Sequence, residues 1–88
     1  MIQVTKSVTQ RERREEMVRE IMKKLNSNQR TSIEVYREEQ YFNRDNYIAH
    51  ERSRSEARAY TKALIDSGIL TQREASELFI YTTCHMTD

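Results

Sequence analysis

Over most of this chain apolar residues return at helical spacing. Met17, Val18, Ile21, Met22 and Leu25 fall in one stripe about 140° wide when wound at 100° per residue. Thr9 and Glu12 have the spacing of a capping box, so a first helix is predicted to run from there to about Leu25 or Asn26, with Asn26-Ser27-Asn28 ending it. Thr31 and Glu34 repeat the capping spacing and predict a second helix. Ile33, Tyr36, Tyr41, Tyr47 and Ile48 share one face of it, interrupted by Gln40 and Arg44, while Val35 and Phe42 face elsewhere. A break is expected between residues 43 and 46. The third helix starts at a Ser53/Glu56 cap or continues unbroken from Asn46, and buries Ala57, Tyr60, Leu64 and Ile65. The last helix follows Thr71 and buries Ala75, Leu78 and Phe79.

The clearest punctuation lies between the last two helices. Gly68 is the only glycine and there is no proline. A lone glycine after a helical run suits the left-handed position that closes a helix, and Ile69 can fold back on the last turn. Thr71 then caps the next helix, with Glu74 completing the box. The reading is a helical hairpin about Gly68, with a positive φ at the glycine.

Residues 1–8 alternate loosely, with Ile2, Val4 and Val8 on one side and Gln3, Thr5 and Ser7 on the other. They predict a short strand or extended arm, which would need a partner to pair with. The tail from Thr82 is expected to fray. The whole is a single small all-α domain over residues 1–88, of three to four short helices.

Composition changes this picture in one respect. Of the 88 residues, 36% are hydrophobic and 33% charged. That is a thin core for a lone small domain, and it points to a homodimer or a partner protein supplying further burial. Net charge is only +1, so no global field draws the chain to nucleic acid or anionic lipid. The distribution is uneven: residues 1–30 hold eight Lys/Arg against four Asp/Glu. A single cysteine, Cys84, excludes an internal disulfide and fits a reducing cytoplasm. No apolar run approaches the length of a membrane span, and the N-terminus lacks the apolar core of a signal peptide. Small, charge-rich, glycine-poor chains of this style are common among phage and mobile-element accessory proteins.

Little here reads as chemistry. Cys84, His85, His50 and Asp88 do not have the fixed ligand spacing of a metal site. No nucleophile–base pair, phosphate loop or paired acid can be argued, so no enzyme activity, cofactor or metal is expected. The basic stretch Arg11-Glu12-Arg13-Arg14-Glu15-Glu16 is matched by local acids, with Glu15–Arg19 and Glu20–Lys24 in favourable i,i+4 order. Arg11 and Arg14 differ in pointing toward the apolar stripe, where a partner could meet them. A DNA-binding helix-turn-helix about Gly68 fits poorly, because its second helix offers only Arg73 against Glu74 and Glu77.

The order of alternating segment, helix, short loop and helix resembles that of ribbon-helix-helix repressors, and Arg30-Thr31-Ser32-Ile33-Glu34 resembles their capped second helix. The resemblance covers about half the chain. It implies paired strands placing Gln3, Thr5 and Ser7 in the major groove, backed by Arg11, Arg13 and Arg14. The sequence departs from that family in its long first helix and in Glu38, Glu39 and Gln40, which stand where the family buries apolar groups.

Tyr36, Tyr41, Phe42 and Tyr47 cluster in the middle of the chain with Arg37 and Arg44 among them. Tyrosine and arginine are residue types that anchor protein interfaces, and Phe42 lies off the apolar stripe. The favoured reading is therefore a non-catalytic regulator, adaptor or inhibitor that binds a protein partner, with Tyr41, Phe42 and Arg44 as contacts. The alternative is a small DNA- or RNA-binding regulator using the N-terminal arm and basic first helix.

Overall fold

The computed structural model describes residues 10–84, all of them in four helices and their connections: α1 (Gln10–Met22), α2 (Ser27–Phe42), α3 (Tyr47–Asp66) and α4 (Gln72–Thr83). There is no strand among the described residues. The N-terminal arm and Thr9 lie outside them.

The α3–α4 hairpin forms as its sequence predicts. Gly68 has φ 81°. The Gly68 amide donates to the Ile65 carbonyl at 2.9 Å and the Ile69 amide to that of Leu64 at 3.0 Å, the two bonds of a Schellman closure. Ile69 packs against the core that holds Leu64, supplying the apolar contact that accompanies such an ending. At the start of α4 the Thr71 hydroxyl accepts from the Glu74 amide at 3.1 Å, and the Glu74 carboxylate accepts from the Thr71 amide at 2.9 Å.

The other boundaries correct the sequence reading. The second helix begins four residues before Thr31, at Ser27. Its capping box is Asn26 with Gln29, each side chain bonded to the other's amide at 2.8 Å. Asparagine caps as well as threonine, and glutamine can take the reciprocal role, so Asn26 opens one helix instead of ending another. α1 stops at Met22, and Arg30 donates to the carbonyls of Leu25 and Met22 beyond it, at 2.5 and 3.3 Å. This places a cation where the helix C-terminus is negative. The expected break at 43–46 is present. Asn46 caps α3 by accepting from the Ala49 amide at 3.1 Å, and Ser53 lies inside α3 as a buried residue, not at a cap. α4 continues to Thr83 and buries Thr82 completely, so fraying does not begin at Thr82.

α4 packs against each of the other three helices, and α2 also packs on α3. The core joins Val18, Ile21 and Leu25 of α1, Ile33 of α2, Leu64 of α3, Leu70 of the turn, and Ala75 and Leu78 of α4. Met22, Tyr60, Ile65, Ile69 and Tyr81 close it at the margin. Phe79 and Tyr36, expected in the core, are half-buried. No aromatic ring is fully buried among the described residues, which agrees with the thin core read from composition.

Four polar residues fill the remaining space: Gln40, Ser53, Thr61 and Thr82. Ser53, Ala57 and Thr61 are spaced by four on α3 and line its inner face with small side chains. Thr61 and Thr82 return their hydroxyls to the carbonyls of Ala57 and Leu78, at 3.1 and 2.7 Å. This is the local bonding that lets serine and threonine enter a helix interior.

Candidate interaction surface

The α2–α3 corner carries the aromatic cluster. Phe42 ends α2 with 77% of its surface exposed, and Tyr47 and Ile48 open α3 with 78% and 72% exposed. Tyr47 and Ile48 were expected on the buried face. The turn at 43–46 changes the phase: α3 buries Ser53 and Ala57, and at 100° per residue positions 47 and 48 fall about 120° and 140° from Ser53. Phe42 does not turn inward when the helix breaks. Its ring meets that of Tyr41 edge-on, with centroids 6.0 Å apart. Arg44 completes the group by lying over the Tyr41 ring at 3.9 Å and donating to the Tyr41 carbonyl at 2.7 Å. The three residues singled out from sequence, Tyr41, Phe42 and Arg44, are therefore brought together, and across the turn the start of α3 exposes Tyr47 and Ile48.

Beneath the corner, Gln40 is fully buried. Its amide nitrogen donates to the His50 carbonyl at 2.7 Å and to the Ser53 hydroxyl. Ser53 in turn donates to the same carbonyl at 3.2 Å. The Gln40 carbonyl oxygen has no partner. The polar residue that spoils the apolar face of α2 is thus the one that fastens the start of α3.

Several cations are occupied elsewhere in holding helices together. Lys24, in the connection after α1, reaches Glu74 of α4 and not Glu20, which pairs with Lys23 at 3.1 Å. The Lys24 hydrogen bond, followed by the Thr71 amide, holds the Glu74 carboxyl below the usual carboxylate range. Arg14 lies 3.9 Å from Glu77. Arg37 stacks on Tyr81 at 4.1 Å and donates to its carbonyl at 3.2 Å. The Tyr81 hydroxyl donates to Glu34 at 2.9 Å. Burial, and then this bond to Glu34, pushes the Tyr81 hydroxyl above the usual tyrosine range.

Of the residues named for nucleic acid, Arg13 is exposed on α1. Gln3, Thr5, Ser7 and the Arg11 side chain lie outside the described residues, as do His85 and Asp88. Cys84 is exposed at the end of α4, and no cluster of three or more potential metal ligands occurs among the described residues. No helix there is long and apolar enough to cross a membrane. Sequence reasoning missed the Gln40–Ser53 link and the small-residue face of α3, because hydropathy counts serine and threonine as surface. The four-residue spacing of Ser53, Ala57 and Thr61 was the available signal.

No protein-family model, curated protein or solved structure matches this chain.

Proposed function

We propose that this protein is a non-catalytic, cytoplasmic regulator that binds other proteins, and that the α2–α3 corner is its self-association surface. The observation that carries this is the exposure of Phe42, Tyr47 and Ile48, each more than 70% in water. An aromatic side chain removes roughly 150–250 Å² from water when fully buried. At their exposures Phe42 and Tyr47 leave on the order of 300 Å² open before Ile48 and the rim are added. Two copies facing each other bring the buried total toward about 1,000 Å², the lower bound of a specific interface. The thin core gives the same direction, since a second copy supplies burial the single chain lacks.

Sedimentation equilibrium tests this. The wild-type chain is expected to form dimers at micromolar concentration, and Phe42→Ala to stay monomeric with unchanged helical circular dichroism. Because Phe42 is exposed in one copy, its truncation should shift the melting temperature of the dilute monomer little. A wild-type chain that remains monomeric at high concentration refutes the proposal, as does a monomer melting temperature that falls sharply in Phe42→Ala.

A further inference from the structure

We propose that the groove between α3 and α4 is a docking site for an acidic amphipathic helix of a partner protein. This surface is separate from the α2–α3 corner and does not depend on the dimer. The groove encloses about 320 Å³. Its apolar floor is made by Ile65, Ala75 and Ile80, Phe79 lies beside them under the rim cation Arg58, and the rim also includes Lys62.

Charge around it is predominantly positive. The chain has 14 acidic residues, yet none of the described ones lines the groove. Arg54 and Arg58 lie over the Phe79 ring at 5.7 and 4.8 Å, and neither pairs with a carboxylate among the described residues. Lys62 meets Asp66 at 3.4 Å with both side chains largely exposed, a surface pair of the kind that a better partner displaces at little cost. The other cations that bridge elements, Arg14, Lys24, Arg30 and Arg37, have anions or carbonyls to hold.

The spacing selects a helix. Arg54, Arg58 and Lys62 follow one another by four residues along α3, so their Cα atoms rise about 6 Å at each step. A helix laid along the groove repeats that rise with carboxylates at i, i+4 and i+8, while its apolar positions at i+3 and i+7 reach the floor. The Phe79 ring bears guanidinium groups, so it is not an open stacking platform for a nucleic-acid base. Three cations above an apolar floor also form a short electrostatic track compared with the grooves that follow a phosphate backbone.

The test is a selection of displayed 16-residue helical peptides against the full chain, followed by affinity measurements on the winners. Enriched peptides are expected to carry Asp or Glu pairs four apart beside an apolar stripe. Their affinity should fall at least tenfold for Arg54→Glu/Arg58→Glu, and by a smaller factor for Arg54→Gln/Arg58→Gln, which avoids placing new carboxylates beside Phe79. Raising salt should weaken them, whereas Phe42→Ala should leave binding unchanged even where it abolishes dimerisation. The proposal is overturned if no helix is enriched, if the enriched helices lack acidic pairs, or if the Gln variant, with wild-type circular dichroism, binds as tightly as wild type. Competition by a single-stranded oligothymidylate that itself needs Arg54 and Arg58 also overturns it and assigns the groove to nucleic acid.

Discussion

Substituting Gly68 isolates one physical quantity, the chirality of the backbone at the α3–α4 turn. Its φ of 81° lies in the left-handed region, and a Cβ built there meets nothing within 4 Å. The cost of Gly68→Ala is therefore conformational and not steric. A left-handed L-residue costs roughly 1–2 kcal/mol. The stiffer denatured chain returns about 0.4–1 kcal/mol of that. The net expectation is a loss of about 1 kcal/mol, or a fall in Tm of roughly 4–8 °C for a domain of this size. Urea unfolding followed by circular dichroism measures it, with unchanged m-value as the sign that only stability has moved. Chemical synthesis provides the mirror control: D-alanine at position 68 favours positive φ and should stabilise the chain. Two results refute the reasoning. A stabilising L-alanine means that the turn does not need positive φ. A loss above about 3 kcal/mol means that the Cβ collides with something, contrary to the open space at this site.

Three further substitutions or conditions probe polar contacts. Gln40→Met should change stability by less than about 1 kcal/mol, because it removes the orphaned carbonyl along with the amide bonds, whereas Gln40→Ala leaves a cavity and should cost about 2 kcal/mol or more; equal losses in urea unfolding would contradict this. Burial raises the hydroxyl pKa of both Tyr36 and Tyr81 above the ordinary 10.0. Their contribution is whole below that value and is lost as pH rises through the folded-state pKa, so stability should decline above about pH 10, and less steeply in Tyr36→Phe/Tyr81→Phe. For Glu74 the pKa is lowered from 4.5, so its contribution is present above that value and lost as pH falls below it; Lys24→Met should flatten the acid limb of the stability profile, and an unchanged limb would show the ion pair to be inert.

The hairpin and three helical stripes were legible because their causes are local. A lone glycine, a Thr-x-x-Glu box and apolar residues at helical spacing act through neighbours in sequence, and Gly68, Thr71, Glu74, Val18, Ile21, Leu64 and Leu78 stand where that logic places them. The start of α2 was less legible because two candidate caps, Asn26 and Thr31, compete five residues apart, and the chain uses Asn26/Gln29 while leaving Thr31 within the helix.

What only the tertiary structure decided is where each face points after a turn. Tyr47 and Ile48 belong to the apolar face of α2 if the helix is continued through them, and the four-residue break rotates them into water. Gln40 reads as a flaw in that face until α3 brings the His50 carbonyl and Ser53 hydroxyl to meet it. Likewise, the sequence pairs Lys24 with Glu20 by spacing, and packing of α1 on α4 offers Glu74 instead. Local rules specify turns, caps and periodicity. The partner of a polar side chain, and the exposure of an aromatic one, depend on contacts distant in sequence that no spacing encodes.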